Sequence, residues 1–237
     1  MKRLEKMDTM SGPYFAIDGL QVTEEEYREA EKANALEQAL AEEAEVIAPL
    51  VSDDLIEDGV RNMLQFIGEN PGREGILETP KRVRKAWTEM LCGYHSPSDS
   101  EILKVFEDGA EDCDEMVLVK DIKLQTFCEH HIIPFFGVCH VAYIPNGKIV
   151  GLSKINRLVD KYMRRLQVQE RLTSQIANAL MDELNPLGVA VMIEASHLCV
   201  CYRGIKDVNS KTRTTSLKGV FRTNMDTRQE FLDGCKG

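Results

Sequence analysis

The sequence predicts an α+β protein in which helices come first and an antiparallel sheet, with a helix pair on one face, comes second. Three observations predict this class. The first half contains helix-forming stretches separated by Pro and Gly. The second half contains two pairs of alternating, β-branched stretches. The residues between those pairs have the apolar spacing of helices, so the second half has the order ββααββ.

The first 50 residues are predicted to form an acidic extension that is only partly helical. Residues 1–22 have no clear apolar period and are expected to be irregular. Residues 23–47 are rich in Glu and Ala with a thin apolar stripe, which predicts an exposed or partner-facing helix. The stripe is compatible with a regulatory partner, which the sequence does not identify.

Residues 51–115 are predicted to form a helical region that ends in an acidic loop. One helix is predicted over residues 54–68, and the turn Asn70-Pro71-Gly72 follows it. Thr79-Pro80 predicts the N-cap and first turn of another helix, which runs to about residue 91. The loop is predicted over residues 96–115.

Residues 116–237 are predicted to be the domain with the ββααββ order. Its second helix is marked by apolar residues four apart, Leu172, Ile176, Leu180 and Leu184. The strands are predicted over residues 116–127, 138–144, 189–202 and 212–222, and the helices over residues 153–162, 168–184 and 227–234.

Charge is distributed unevenly between the two halves. Residues 121–237 contain 16 Lys and Arg against 11 Asp and Glu, whereas residues 1–120 contain 13 against 28. A basic second half beside an acidic first half suggests an anionic ligand in the second half. Nucleic acid is a poor candidate, because there is no run of Lys and Arg and the aromatic content is only 6%.

Cysteine usage and hydropathy predict a cytoplasmic protein. The chain has seven cysteines, an odd and unevenly spaced set, which argues against a disulfide framework and for a reducing compartment. Residues 1–6 run into polar sequence without the apolar stretch of a secretory signal. No stretch has the apolar length of a membrane span, so no membrane partner is expected.

Two short motifs concentrate the thiols and imidazoles. They are Cys128-Glu129-His130-His131 and His197-Leu198-Cys199. Thiolate and imidazole together are the ligands of zinc, and a set of two Cys and one His leaves a fourth position open for water. The spacing is not that of a zinc finger, because no second close pair of ligands follows a C-x-x-C. The motifs therefore predict a catalytic metal site, with the remaining histidines free to move protons.

Three further patches have both a functional and an ordinary interpretation. Residues 151–157 (GLSKINR) enter a helix with Ser153 as N-cap, which gives either an anion cradle or simple capping with surface charge. Residues 167–171 put a carboxylate near a helix start, which is ordinarily a solvated face. Arg203 follows in an extended strand, in which residues 197, 199, 201 and 203 share one face.

Together these motifs closely resemble the GTP cyclohydrolase I family. The matching stretches are CEHH at 128–131, GLSKINR at 151–157, QVQERLT at 167–173, and HLC with the following RG at 197–204. The resemblance covers roughly residues 55–237. It implies the tunnelling fold, in which ββααββ subunits join edge to edge into a barrel and two pentamers stack as a decamer.

The resemblance also implies residue roles, with Zn²⁺ as cofactor and GTP as substrate. It assigns the zinc ligands to Cys128, His131 and Cys199. It assigns catalysis to His130, His197 and Ser153, the last also beside the ribose and triphosphate. It assigns substrate binding to Arg82, Leu152, Lys154, Arg157, Gln169, Glu170 and Arg203, with Gln169 and Glu170 as the purine-recognition pair. Cys201 is a third thiol near the ligands and is not expected to bind the metal.

The implied reaction begins with N7 protonation of guanine by His130 and attack of zinc-bound water at C8. Ring opening and a second hydrolysis release formate. His197 then assists ribose opening, an Amadori-type rearrangement follows, and ring closure gives 7,8-dihydroneopterin triphosphate, the first step of pterin and folate biosynthesis. The pathway downstream of this product, whether folate, tetrahydrobiopterin or deazapurine, is not determined by the sequence.

Two alternatives belong to other classes. Pyruvoyl-tetrahydropterin synthase and a nitrile reductase share the tunnelling fold, but the first uses three histidines and the second a nucleophilic Cys. A non-catalytic zinc- and nucleotide-binding module would lack an acid or base residue, whereas His130 and His197 are both present.

Overall fold

The computed structural model describes residues 4–9, 12–17, 20–32, 34, 51–108, 110 and 113–236. These residues belong to two compact units, Met1–Arg84 and Lys85–Gly237. Within the described residues, no helix is both long enough and apolar enough to cross a membrane.

The first unit begins with a three-stranded antiparallel sheet of β1 (Leu4–Thr9), β2 (Gly12–Ile17) and β3 (Leu20–Gln21). The expectation that residues 1–22 are irregular is therefore wrong. Short strands of mixed polarity carry little periodic signal, so pairing and burial decide them. Phe15 is buried, and its ring lies 5.1 Å from that of Tyr27.

A helix, α1, follows over residues 24–32. Thr23 and Glu26 form a reciprocal cap, because the Thr23 amide donates to Glu26 Oε2 at 2.9 Å and the Glu26 amide donates to Thr23 Oγ1 at 3.3 Å. Most of the remainder of the helix predicted over residues 23–47 lies outside the described residues.

Helices α2 (Asp53–Phe66) and α3 (Thr79–Met90) match the two helices predicted in this region. The Ser52 side chain accepts from the amide of Leu55 and caps α2. Thr79 is already the first residue of α3 rather than its N-cap, a difference of one residue. Arg84 joins the two helices, since its guanidinium lies 3.0 Å from Glu57 and 2.9 Å from Asp53.

The second unit contains short elements where a loop was predicted over residues 96–115, so that prediction is wrong in part. Helix α4 (Asp99–Ile102) has a capping box formed by Ser98 and Glu101, and β4 (Val105–Phe106) follows it. The Lys161 ammonium donates to Pro97 O and to Asp99, each at 2.7 Å. This long-range contact holds the segment in place.

The main sheet of the second unit has five strands. Four of them are antiparallel neighbours, β5 (Val117–Cys128), β6 (Ile133–Ile144), β9 (Gly188–His197) and β10 (Thr212–Gly219). The strand order is β10-β9-β6-β5-β8, in which β8 (Leu166–Gln167) is parallel to β5. A separate pair joins β4 to β7 (Ile149–Val150). The predicted α+β class is confirmed.

Helices cover both faces of this sheet. Helices α5 (Leu152–Met163) and α6 (Gln169–Leu184) bury their apolar sides against one face, around Leu158 and Ile176. After the short helix α7 (Leu198–Cys201), helices α8 (Val220–Thr223) and α9 (Met225–Gly234) bury Phe221 and Phe231 on the other face. β9 and the later part of β6 therefore alternate between two cores, whereas the second half of β5 alternates between core and solvent.

Three predicted strand bounds need correction. The strand predicted over residues 212–222 ends at Gly219, because the chain turns there into α8. β6 begins at Ile133 and not at residue 138, because Pro134 and Gly137 conceal the start of the strand in the sequence. A Cβ on Gly137 would lie 1.9 Å from Glu194 O, so only glycine permits this approach of β6 to β9. β9 ends at His197, and the predicted continuation to residue 202 is instead α7 and the residues after it.

Candidate metal centre and active site

Three side chains with metal-binding chemistry meet at one end of the main sheet. Cys128 is the buried last residue of β5, His131 lies in the turn that follows, and Cys199 lies in α7. One ligand atom from each lies within 4.8 Å of the other two. Cys128 Sγ and His131 Nδ1 are 3.7 Å apart. The two motifs, some seventy residues apart in the sequence, are thus brought together. The cluster of Cys128, His131 and Cys199 is called the metal group below.

The tight turn between β5 and β6 places Cys128 and His131 on the same side. The Ile132 amide donates to Cys128 O at 2.8 Å and closes the turn. Ile132 has φ of +54°, in the left-handed region that a β-branched residue rarely adopts. Such a conformation costs about 1–3 kcal/mol and persists where the surrounding structure enforces it.

The donor set fits Zn²⁺. Two thiols and one imidazole are the ligand types that zinc prefers, and three ligands leave one coordination position open. Burial and the neighbouring Cys128 thiol raise the pKa of the Cys199 thiol above its ordinary value. A divalent cation offsets that effect, because coordination favours the thiolate form.

His130 lies beside this group with an exposed side chain. Its Nδ1 is 3.8 Å from Cys128 Sγ, and its Nε2 is 3.9 Å from Glu129 Oε1. Glu129 is also paired with Arg171, which holds the pKa of the Glu129 carboxyl below its ordinary value. The imidazole of His130 therefore faces both the metal group and solvent.

His197 is held from two sides at the end of β9. Its ring stacks on the ring of Phe135, with centroids 4.3 Å apart and planes 13° apart. Its Nε2 lies 2.7 Å from Oε1 of Gln169. Burial lowers the pKa of His197, and the nearby Glu170 carboxylate opposes that shift. The balance favours the neutral imidazole.

The first two residues of α6 have contrasting environments. Gln169 is 2% exposed, and its carboxamide is hydrogen-bonded to β9 and β10 as well as to His197. Glu170 is exposed, near enough to His197 to affect its titration. Only the second of these side chains faces solvent.

The predicted anion cradle lies at the start of α5. Leu152, Ser153 and Arg157 are exposed, and Lys154 is half-buried. The N-cap is Gly151 and not Ser153, as the sequence suggested, and no side chain caps the helix. The reason is that the helix already begins at Leu152, which places Ser153 inside its first turn.

The cradle and the metal group lie at different ends of β5 within one chain. Arg157 lines a groove with residues 119–123 of that strand. Cys128 lies five residues beyond Lys123, which is roughly 17 Å along a strand. Arg157 therefore lies beside the first half of β5, whereas Cys128 is the last residue of that strand.

Arg203 reaches the metal group by a route that the sequence did not predict. Because residues 198–201 are helical, residues 199 and 201 point to different sides, and the expected shared strand face is wrong. Cys201 is absent from the metal-binding group found among the described residues. The Arg203 guanidinium lies 3.3 Å from His131 Nε2. Arg82 belongs to the first unit, on α3.

Several supporting residues were missed from the sequence. Arg171 pairs with Glu129 and donates to Leu166 O at 3.3 Å, although its motif was interpreted as a solvated face. Phe135 and Thr214 act on His197 directly or through Gln169. The sequence gives no signal for these contacts, because Phe135 and Thr214 lie outside the motifs and reach the site only through the folded sheet.

The fold and the site together fit the class of enzymes that use a bound metal ion in hydrolysis. An α+β sheet with two helices on one face carries a Cys/His/Cys group, two further histidines and an exposed carboxylate, which suits metal-assisted hydrolysis with acid–base catalysis. The sequence model of the GTP cyclohydrolase I family matches residues 56–236. The chain belongs to the GTP cyclohydrolase I family and is an enzyme of that family.

Individual relatives agree over most of the chain. A protein named GTP cyclohydrolase 1 from Chlorobium chlorochromatii (strain CaD3) is 54% identical over 183 residues, covering 77% of this chain and 81% of the relative. Another of that name from Janthinobacterium sp. (strain Marseille) is 50% identical over 184 residues, covering 78% and 92%. A crystal structure of the archaeosine synthase QueF-Like in the apo form has 19% identity and a TM-score of 0.36, and it covers 44% of this chain and 93% of its own. That similarity is too low to support a conclusion.

Proposed function

We propose that this chain is a zinc-dependent GTP cyclohydrolase I, which converts GTP and water to 7,8-dihydroneopterin triphosphate and formate. The observation that carries the proposal is the Cys128, His131 and Cys199 group beside His130 and His197, in a chain of this family. The reaction would open pterin and folate biosynthesis. An odd, unevenly spaced set of seven cysteines agrees with the cytoplasmic location that we propose for it.

Cys128, His131 and Cys199 would hold Zn²⁺. When bound there, Zn²⁺ supplies a Lewis acid that activates water near neutral pH. The short turn that ends at Ile132 keeps two of the ligand atoms 3.7 Å apart. The third ligand comes from α7, so the group depends on the packing of β9 against β6.

His130 is proposed to donate a proton to N7 of guanine, which makes C8 electrophilic. Its exposed ring lies 3.8 Å from Cys128 Sγ, so a purine above the metal group comes within its reach. His197 is proposed to exchange a proton with the ribose during ring opening. Each such acid or base typically contributes ~10²–10⁴-fold to the rate.

Glu170 is proposed to select the base. Its carboxylate is exposed and lies close to His197, so it can accept from the N1–H and 2-amino group of guanine. Adenine lacks these donors and would leave the carboxylate unpaired. A site of this kind typically rejects the analogue by ~10⁴-fold or more.

Ser153, Lys154 and Arg157 are proposed to bind the ribose and triphosphate of a GTP molecule held by a neighbouring subunit, with Leu152 beside them. This follows from the separation along β5 between Arg157 and the metal group. Arg203, 3.3 Å from His131, and Arg82 are proposed as further phosphate contacts. A homo-oligomer, a decamer by resemblance to the family, supplies the second chain.

Residues 116–237 are proposed as the catalytic domain, with residues 51–115 as a helical region before it. Residues 1–50 are proposed to be an extension outside the catalytic machinery. All proposed site residues except Arg82 lie in the catalytic domain.

The test is direct. Purified, zinc-loaded protein is incubated with GTP or ATP, and formate release and the fluorescence of oxidised neopterin are measured. We expect both products from GTP and at least ~10⁴-fold less from ATP. An oligomeric, zinc-loaded preparation that releases no formate from GTP would overturn the proposed function, and equal turnover of ATP would overturn the role of Glu170.

A further inference from the structure

The buried carboxamide of Gln169 is a feature that substrate binding alone does not explain. Gln169 is 2% exposed, at the start of α6. Its Nε2 lies 3.2 Å from Ile193 O, 3.0 Å from Thr212 O and 3.1 Å from Thr214 Oγ1. Its Oε1 lies 2.7 Å from His197 Nε2. Both ends of the carboxamide are therefore occupied by protein groups.

The orientation of this carboxamide is determined by its partners. Ile193 O and Thr212 O are main-chain carbonyl oxygens, which can only accept hydrogen bonds. The atom that faces them must be the NH₂ group, because a flipped amide would point its oxygen at two other oxygens. The oxygen of Gln169 consequently faces His197.

The hydroxyl groups around Gln169 agree with this orientation. Thr173 Oγ1 donates its proton to Gln169 O at 2.7 Å. The Thr173–Thr214 contact, at 2.6 Å, must then use the proton of Thr214. Thr214 Oγ1 has no proton left, so it accepts from the Gln169 NH₂ group. The two protons of the Gln169 NH₂ group are thus shared among three acceptors, and its oxygen is left to His197.

This network also determines which ring nitrogen of His197 carries the hydrogen when the imidazole is neutral. A carboxamide oxygen only accepts, so the 2.7 Å contact requires the hydrogen on His197 Nε2. A ring turned over in the same plane would place a carbon, Cε1, rather than Nε2 against the Gln169 oxygen, so the observed contact requires the present orientation. Within the described residues, no other hydrogen bond reaches the His197 ring, which leaves the lone pair of Nδ1 free.

We propose that Gln169 is a positioning residue that holds His197 as the Nε2–H tautomer, so that His197 exchanges protons with the substrate at Nδ1. During ribose opening, a proton passes from a substrate hydroxyl to Nδ1 and later returns from Nδ1 to the product. Gln169 acts through His197 and does not contact the purine, which is left to Glu170. The catalytic part of this inference rests on the proposed function, whereas the tautomer does not.

Neutron diffraction from crystals of the zinc-loaded wild-type protein tests the tautomer directly. Crystals are exchanged into deuterated buffer well above the ordinary His pKa of about 6.5. We expect deuterium on Nε2 of His197 and none on Nδ1, and two deuterons on the Gln169 nitrogen that faces Ile193 O. Deuterium on Nδ1, or the Gln169 oxygen facing Ile193 O, would overturn the proposal. This result is independent of GTP turnover, so it separates failure of the tautomer from failure of the proposed function.

Steady-state kinetics test the positioning role. Gln169→Met keeps the approximate length but removes the acceptor, so we expect kcat to fall at least ~10-fold with KM for GTP changed less than ~3-fold. Gln169→Glu restores an acceptor for Nε2 but turns its second oxygen toward Ile193 O and Thr212 O, so it should recover only a minor part of the lost kcat. Gln175→Met is the matched control, because Gln175 is on the same helix and bonds to Gln167 rather than to His197. A rise in KM with unchanged kcat in Gln169→Met would instead make Gln169 a purine contact.

Discussion

The two ends of strand β5 differ in how many of the proposed site side chains a single chain brings there. At the Cys128 end, three side chains that could hold a metal ion, two further histidines and the Gln169 network converge within a single chain. At the other end, Arg157 lines an open groove beside residues 119–123, and Ser153 is exposed. At the Cys128 end the side chains are held by hydrogen bonds within the chain, whereas at the other end the polar side chains lie along an open groove.

This difference indicates which of the two kinds of binding, metal or anion, a single chain can provide by itself. Metal binding requires only residues that the fold of one chain assembles. The proposed triphosphate contacts are divided, because Arg203 lies at the metal end whereas Arg157 lies beside the first half of β5. The comparison therefore predicts that metal binding and anion binding can be damaged separately and restored by different chains.

Removal of a metal-binding side chain should have the largest effect. Cys128→Ala and Cys199→Ser should each lose zinc and lower formate release more than ~10³-fold, because a three-ligand site has no spare ligand. Zinc content by atomic absorption and GTP turnover are measured on the same preparation. Cys201→Ser is the control and should retain both zinc and activity. If Cys201→Ser loses zinc while Cys199→Ser retains it, the metal group is assigned to the wrong thiol.

Mixed oligomers should recover part of the activity that is lost when either the metal group or the anion cradle is mutated in every chain. Cys128→Ala and Arg157→Ala chains are each expected to be inactive. In a randomly mixed oligomer, about one site in four pairs an intact metal group with an intact cradle, so about a quarter of wild-type activity should return. Mixing Cys128→Ala with His131→Ala is the control and should restore nothing. Verified mixed oligomers that stay inactive would place both ends of the site in one chain.

The metal end was largely predictable from sequence, and the reason is local. Cys128 and His131 are three residues apart, so any tight turn brings them together, and the chemistry of thiols and imidazoles indicates the ion. The α+β class and the helix pair followed from periodicity over long segments. Such signals do not depend on knowing which distant elements meet.

The remaining features depend on tertiary contacts. Residues 198–201 have β-forming side chains but adopt a helical turn after β9 ends. The Gln169 network needs the register that places Thr212 and Thr214 of β10 beside β9, which no local pattern encodes. Strands β1 to β3 are short and of mixed polarity, so they leave little periodic signal in the sequence.

Replacement of Arg171 should weaken zinc binding by a smaller amount than loss of a metal ligand does. It pairs with Glu129, next to Cys128, and binds Leu166 O and Gln167 Oε1, so it fixes the turn that carries two metal-binding residues. Groups that orient ligands from outside typically change metal affinity ~10–100-fold. Arg171→Ala should therefore bind zinc ~10–100-fold more weakly in a chelator competition, with kcat largely restored by excess zinc.

The control for Arg171 is another exposed arginine in an ion pair. Arg213→Ala removes the pair with Glu194 without touching the turn after β5, so zinc affinity should stay within ~2-fold of wild type. Equal zinc affinity in Arg171→Ala and Arg213→Ala would show that the Glu129 pair does not support the metal end.

Deletion of residues 1–51 should have the smallest effect on chemistry. No proposed site residue lies in this segment, and the match to the family begins only at residue 56. The described contacts of its buried Phe15 are internal to the segment, with the Tyr27 ring 5.1 Å away and the Val22 amide donating to Phe15 O at 3.0 Å. The truncated protein should therefore retain zinc, and its kcat and KM for GTP should stay within ~2-fold of those of the full chain. Loss of formate release from a truncated protein that still has its zinc and its oligomeric state would show that the extension completes the anion end, and the comparison between the two ends of β5 would then need a third contributor.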